Sequence, residues 1–443
     1  MSAVKVVIIG GGSVNWIPTI LTDLVITPEL EGSTAALMDI DEEALELATA
    51  FGRRLVEASG RRWTLEATTD RREALRGADF VVLTIAVGGL DAMEHDLAIP
   101  LRYGIYQSVG DTVGPGGLSR ALRNIPVVYE IARDMEALCP QAWLLNYTNP
   151  MTTLTRTVSR HTSVKVIGLC HELTGVLHRL RRLLDLGEAA IDVTAAGINH
   201  FIWLLRFEVD GRDGYDLLRV HLAEDPVEFP YRGELSGDIG SVFRDRLVLK
   251  LRLFEMFGVL PAAGDRHLAE FLPFVLTDAA GRGAHYGVEL TTVDHRRTLM
   301  ALGREYVRRL ARGEEPLRLA RSQEAVAEII CALAGGREHV HIVNLPNEGQ
   351  IADLPPGAVV ETMGHLSRDA AKAIPAGELP PALLAMLYPH VVRQEMIVEA
   401  GMAGDRRLAL QALATDPLVA NPGVAAPMLD ELLKAHRAWL PQF

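Results

Sequence analysis

Lys5–Trp16 reads KVVIIGGGSVNW, a run of branched apolar residues followed by three consecutive glycines. An unbroken apolar run of this length marks a strand buried on both faces of a parallel sheet, and glycines at its C-terminal end permit a tight turn into a helix. A helix is expected from about Trp16. The design repeats along the chain. Ala35–Met38 is a strand ending at Asp39, ahead of a helix over Glu42–Ala58. ADFVVLTIA is a strand with Asp79 just before it and Thr84 at its end. NIPVVYEIARDMEALCP is an amphipathic helix, AWLLNYTNP a strand leading to Asn149, and VKVIGLCHEL a strand leading to Cys170. Strands alternating with helices predict an α/β fold with a doubly wound, Rossmann-like parallel sheet over residues 1–190, with functional groups gathered at the strand C-termini. Residues 191–443 read as a second, α+β domain. Helices are expected near Ile239–Met256, His295–Arg312 and Gln323–Leu333, a strand at HVHIVNLPN, and a loop over the cleft at AEDPVEFPYRGE.

The glycines point to a dinucleotide. A pyrophosphate needs a sharp strand-to-helix turn, a residue without a side chain where backbone meets phosphate, and the positive end of a helix dipole behind it. Gly10 and Gly12 meet the first two needs, with Ser13 and Val14 completing the turn, while Asn15 occupies the third glycine position of G-x-G-x-x-G. Asp39 can accept hydrogen bonds from ribose hydroxyls and would repel a 2′-phosphate, which favours NAD over NADP.

Composition narrows the partners. The 443 residues are 49% apolar and carry a formal net charge of -13, which suits a folded protein and opposes a nucleic-acid partner, since phosphate binding needs clustered Lys and Arg. The apolar stretches stop short of a membrane span, and no signal-peptide pattern precedes the first strand. A cytoplasmic location is expected. Cys139, Cys170 and Cys331 are too few and too scattered for a disulfide framework.

Cys170 lies in a turn after a buried-type strand. Thirty residues on, GINHF places His200 in a second turn after IDVTAAGI. A thiolate and an imidazole together suit a divalent transition metal, and two protein ligands leave positions open for a Lewis-acid role. Each residue alone also reads as an ordinary buried cysteine or turn histidine.

The set GGGSVNW, GDTVGPGGLSRALRNIPV, NYTNPM, GLCHEL, GINHF, GDRHLAEF and VNLPNEGQIADLPPGAVVE resembles glycoside hydrolase family 4, the NAD- and metal-dependent glycosidases whose fold is similar to lactate and malate dehydrogenases. The resemblance implies a divalent metal, usually manganese, on Cys170 and His200, with Asn149 and Asp111 facing the substrate. It also implies that the second domain carries oligomerisation, as a homodimer or homotetramer. Cys170-His171-Glu172-Leu173 is similar to the C-H-E-V signature of the α-galacturonidase subgroup. Neutral-sugar members carry C-H-S, and phospho-sugar members C-D or C-N. A small uronide or oligouronide substrate is therefore implied, with α-glucuronide, α-galactoside and a plain 2-hydroxy acid dehydrogenase as alternatives.

The implied reaction departs from the two-carboxylate pattern of most glycosidases. It consists of oxidation at C3 by NAD, loss of the C2 proton, elimination of the aglycone from C1, addition of water and return of the hydride. Tyr231 and Asp265 are the candidate bases, because the tyrosine found in several members has no counterpart in LRLFEMFGVLPAA. His171 is the expected acid, and Glu172 is read as an acid or as a residue that orients a neighbour. For a substrate carboxylate, Arg266 and His267 of GDRH are the expected cation site, with Arg120 as an alternative.

Overall fold

The computed structural model describes residues 2–443 and contains one sheet of thirteen strands. Its first part comprises β1 (Lys5–Ile9), β2 (Thr34–Met38), β3 (Thr64–Thr68), β4 (Phe80–Leu83), β5 (Trp143–Asn146) and β6 (Lys165–Gly168). These lie side by side in the order β3-β2-β1-β4-β5-β6, all parallel. That is the doubly wound dinucleotide-binding order. The residues explain why the strands are two-sided. Val6 and Ile8 pack against the helices Ile17–Ile26, Glu42–Ser59 and Val326–Leu333, whereas Val7 and Ile9 pack against Gly114–Leu138 and Met151–His161. Helix ends follow local chemistry. Asp41 caps Glu42–Ser59 by accepting from the Ala44 N–H at 3.0 Å, and Gly60 ends that helix in a left-handed conformation.

The sheet does not stop at β6. Strands β7 (Ile191–Ile198), β8 (Phe201–Val209), β9 (Arg212–Asp213), β10 (Leu260–Pro261), β11 (His339–Pro346), β12 (Val359–Ser367) and β13 (Ala370–Ala373) extend it, with β11, β12, β7, β8 and β10 joining antiparallel in that order. The junction needs Gly168, because a Cβ there would stand 2.8 Å from the Asn344 Cβ of β11. In the second half, Val293–Arg312, Val326–Leu333 and β11 lie within a few residues of their expected bounds, while the expected helix Ile239–Met256 is two helices, Ile239–Val242 and Val248–Phe257, separated at Phe243–Leu247. No helix among the described residues is long and apolar enough to cross a membrane.

A second core packs on the antiparallel strands, with the Phe201 and Phe271 rings stacked at 4.8 Å. Buried His390 sits against both rings, accepting at Nδ1 from Arg393 at 2.8 Å and donating from Nε2 to the Phe271 carbonyl at 3.0 Å. Burial, with Arg393 beside it, pushes His390 down to about 3, against 6.5 for an ordinary histidine. Between these values the unfolded chain binds a proton that the folded chain refuses, so this contribution is complete above pH 6.5 and is lost as pH falls toward 3. Urea unfolding of wild type from pH 6.5 to 5 is expected to lose up to about 1.4 kcal/mol per pH unit through this residue. His390→Gln should show a correspondingly shallower slope, and equal slopes would remove His390 as the cause.

Candidate active site

All the C-terminal ends of the parallel strands open on one edge, and two adjoining cavities occupy it. The first, about 340 Å³, is lined by Gly10, Ser13, Asp39 and Thr84 and by apolar side chains including Met38, Val127 and Ile131. The second, about 640 Å³, is lined by Asn15, Asp111, Arg120, Tyr147, Asn149, His171 and Arg296, among others. Ser13, Thr84, Ile85 and Ala86 line both.

Local sterics dictate the glycine turn. Gly10 has φ 91°, and a Cβ on it would lie 2.3 Å from the Thr84 carbonyl oxygen. The Gly12 N–H donates to Asp39 Oδ2 at 2.8 Å, and a Gly12 Cβ would lie 2.7 Å from the Ala44 Cβ. Asp39 Oδ1 accepts from the Asp41 N–H at 3.0 Å, so each carboxylate oxygen is anchored once and keeps acceptor capacity toward the cavity. Thr84 Oγ1 donates to the Gly10 carbonyl at 3.2 Å, bracing the turn. Val14 departs from the expectation. It packs toward Gly303 of Val293–Arg312 and lines neither cavity.

Asp111 of the second cavity belongs to a cluster in which metal-competent atoms of Asp111, His200 and His267 all lie within 4.8 Å of one another. His200 occupies the two-residue turn between β7 and β8 at φ 65°, a left-handed backbone that costs a non-glycine residue about 1–2 kcal/mol. Its Nδ1 is engaged by Thr112 Oγ1 at 2.8 Å, and its ring lies 3.9 Å from the His267 ring, centroid to centroid. The Nδ1 of His267 is buried without a partner. Burial, then His267, holds His200 down at about 3, so both imidazoles of the cluster are neutral donors near pH 7. Burial alone would raise Asp111, but His267 and His200 in their protonated forms, with Arg120 and Arg296, outweigh it and lower the carboxylate well below its usual range.

Cys170 is not one of the three. It is buried beside the Glu361 and Glu172 carboxyls and the Asn199 amide, and desolvation, then Glu361, pushes its thiol well above the ordinary range. Glu361 reaches this place because Asn344 Nδ2 of β11 donates to its Oε1 at 2.9 Å, linking the end of β6 to β12.

His171 lies at the rim, with Nδ1 3.1 Å from Glu324 Oε1 and its ring edge-on to Trp16, which in turn packs on Tyr147. The Glu324 contact raises the His171 pKa against the effect of burial. Glu172 is a different matter. Despite burial, His267, His200 and His171 in their protonated forms hold it at about 2, its Oε2 accepts from the Gly264 N–H, and its Oε1 is 3.8 Å from His267 Nε2. Glu172 is therefore a fixed charge that orients the Gly264–His267 segment and not a proton donor.

Neither expected base faces the cluster. Asp265 is buried and spent, accepting from the Leu249 and Lys250 N–H groups at 3.0 and 3.1 Å and from Lys250 Nζ at 2.7 Å. The same Nζ donates to both Asp245 oxygens at 2.9 and 2.8 Å. Removing one partner of a buried ion group costs about 3–5 kcal/mol because the remaining charge is stranded. Lys250→Met is expected to lose that much in chemical denaturation, whereas Asp265→Asn with unaltered proton transfer would agree with its structural place. Tyr231 sits in the 225–247 segment with its ring under Arg246, outside both cavities.

The cations are more numerous than expected. Arg266 and Arg296 place their guanidinium carbons 4.3 and 5.1 Å from the Phe243 ring centre, and the Nε atoms of both are buried and unpaired. Arg120 donates from Nε to the Asn149 carbonyl at 3.0 Å, while the Asn149 Oδ1 is buried without a partner. Glu270 is fully buried, with Oε1 accepting from the Val109 and Gly110 N–H groups at 2.8 and 2.7 Å and with burial raising its pKa to about 8. Arg296, Phe243, Glu324 and Glu270 were not among the expected site residues. Arg296 and Glu324 sit in helix-rich sequence where charged residues are common, and only GDRHLAEF, which contains Glu270, carried a visible signal.

Residues 5–186 match the sequence profile of the family 4 glycosyl hydrolases, and residues 195–419 match that of the family 4 glycosyl hydrolase C-terminal domain. An α-galacturonidase of Bacillus subtilis is 38% identical over 430 residues, covering 95% of this chain and 94% of the relative. The solved structure of lplD from Bacillus subtilis, described as a glucosidase, superposes with a TM-score of 0.90 at 36% identity, covering 98% of this chain and 100% of that one. A 6-phospho-α-glucosidase from gut microorganisms, solved with NAD and Mn2+, shares the fold at a TM-score of 0.82 and 24% identity, covering both chains fully.

Proposed function

This chain belongs to the family 4 glycosyl hydrolases, and from that premise we propose that it hydrolyses α-linked galacturonides with NAD and a divalent ion of the manganese type, without net oxidation. The observation that carries the uronide reading is the guanidinium cluster. In a chain of net charge -13, Arg120 and Arg296 line a cavity that also holds the ionised Asp111, Arg266 shares the Phe243 ring with Arg296 behind it, and the Nε donors of Arg266 and Arg296 have no partner. Buried donors without partners are costly, and a planar carboxylate would satisfy them in the geometry guanidinium favours. The 38% identical α-galacturonidase supports the same choice of sugar.

The residues fit both groups. A side-chain-free Gly10, a ribose acceptor at Asp39 and an apolar cavity between them suit NAD. Two neutral imidazoles and one carboxylate suit a first-row divalent ion, with Cys170 as a further donor that would then be a thiolate. When bound, NAD supplies a hydride acceptor for C3, and the ion supplies a Lewis acid for the oxygens at C2 and C3. The chain's own residues bind and orient the sugar and supply the proton for the leaving group. Asn149, with its free Oδ1, and Arg120 orient sugar hydroxyls. Arg296 and Arg266 hold the carboxylate. His171, fixed by Glu324, hands a proton to the departing aglycone oxygen at the rim. Glu172 keeps the His267 segment in place. We read residues 1–190 as the cofactor lobe and 191–443 as the substrate and assembly lobe of a cytoplasmic homo-oligomer.

The test compares p-nitrophenyl α-galacturonide with the α-glucuronide and α-galactoside, supplying NAD+, Mn2+ and a thiol reductant. The expected result is a kcat/KM for the galacturonide at least a hundredfold above the galactoside. A preference for the uncharged sugar would overturn the substrate assignment and leave the family unaffected.

A further inference from the structure

The first cavity has a wall that the mechanism has not used. Besides Asp39, Val127 and Ile131, it is lined by Trp439, more than four hundred residues downstream of the glycine turn in sequence. The indole is half-buried and lies on the backbone at Gly88, where a Cβ would stand 3.3 Å from its Cδ2 and Cε3 atoms. Gly88 itself has φ 80°, so glycine is required there on both counts.

The segment carrying Trp439 is fixed to the loop it covers. His436 is fully buried, with Nε2 3.0 Å from Asp96 Oδ1. Asp96 receives Arg123 in bidentate fashion at 2.8 and 2.6 Å, and Arg123 donates from Nε to the Val87 carbonyl at 3.3 Å. Asn124 Oδ1 accepts from the Val87 N–H at 3.2 Å, and Gln442 Nε2 donates to the Leu122 carbonyl at 2.9 Å. Arg123 and Asn124 thus brace the Val87–Gly88 loop, and Gln442 ties the segment that closes over it to the same helix. A half-exposed indole held in this way, over an apolar cavity that also offers a ribose acceptor, is built to meet a flat aromatic ring.

We propose that Trp439 is the wall against which the adenine ring of the dinucleotide packs, and that the segment around it retains the cofactor between turnovers. This rests on the NAD reading above. It also has a chemical reason. A cycle that oxidises and then reduces the same sugar returns the cofactor to its starting state, so nothing is gained by releasing it, and a closed adenosine end slows its loss.

The experiment is calorimetric titration of the protein with NAD+ and with ADP-ribose, which keeps the adenosine, both phosphates and the second ribose but lacks the nicotinamide, together with Mn2+ as a control. Trp439→Ala is expected to raise both nucleotide Kd values about tenfold or more, the effect of losing one base-to-aromatic contact, with the Mn2+ Kd unchanged and Trp439→Phe recovering most of the loss. An ADP-ribose Kd within twofold of wild type in the Ala variant would overturn the proposal. Should the Ala variant fold poorly, the Phe variant decides through NADH emission sensitised by tryptophan excitation. A marked drop is expected, and unchanged emission would overturn the assignment. Wild-type protein that binds neither nucleotide would instead remove the NAD reading on which the proposal stands.

Discussion

Arg296→Gln is expected to lower kcat/KM for an α-galacturonide by about a hundredfold to a thousandfold while changing that for the matching α-galactoside less than threefold. The magnitude follows from the setting. Truncating one partner of a buried charge pair costs about 2–5 kcal/mol, because the other charge is left desolvated and unpaired. Here the stranded partner would be the substrate carboxylate, in a cavity where the Arg296 Nε has no protein acceptor. Arg266→Gln should act in the same direction but less selectively, since its neighbour His267 belongs to the metal-competent cluster. The neutral sugar is the informative control. A general collapse of the cavity would lower both substrates together, and that outcome, with a ratio near wild type, would sink Arg296 as the carboxylate receptor.

The second large effect is expected at the cluster. His200→Ala should weaken Mn2+ binding by at least a hundredfold and lower kcat by on the order of a thousandfold or more, because Lewis-acid stabilisation of developing charge is worth several kcal/mol. Asp111→Asn should weaken Mn2+ binding and lower kcat in the same direction. Chelator treatment of wild type should reproduce the loss, and added Mn2+ should reverse it only in the wild type. Cys170→Ser serves as the comparison. If the thiolate is a further donor, this variant also loses affinity. If Cys170→Ser binds Mn2+ as wild type does, the ion rests on Asp111, His200 and His267 alone. Full activity in metal-free His200→Ala would contradict the whole reading of the cluster.

The strand ends were the legible part of this site. Lys5–Ile9, Phe80–Leu83 and Lys165–Gly168 are short apolar runs whose two-sided burial leaves few alternatives to a central parallel strand, and the residues just after such strands must lie along one edge. Gly12, Asp39, Thr84, Asn149 and Cys170 are legible as strand-end residues for that reason, whereas His171 is singled out only by the family resemblance. His200 was visible as a turn histidine because Ile191–Ile198 and Phe201–Val209 are both strand-like and separated by only two residues. What could not be read locally is the direction of a side chain on a short helix. Asp265, Arg266 and His267 are consecutive, yet Asp265 turns inward to Lys250 while His267 meets His200. The choice depends on Lys250, fifteen residues earlier, and on the β7–β8 turn. Arg296, Glu324 and Trp439 likewise come from segments brought in by the antiparallel extension and its helices, whose long-range pairings leave no periodic mark near these residues.

The most direct test of the account is hydrolysis of p-nitrophenyl α-galacturonide in D2O by enzyme supplied with NAD+ and Mn2+, following nitrophenol and NADH absorbance together and analysing the sugar by mass and NMR spectroscopy. Transient oxidation at C3 acidifies the C2 proton and then restores the sugar. The account therefore predicts galacturonic acid carrying one solvent deuterium at C2, a strict requirement for NAD+, and no accumulating NADH. Nitrophenol release without NAD+, giving a product free of deuterium at C2, would contradict it.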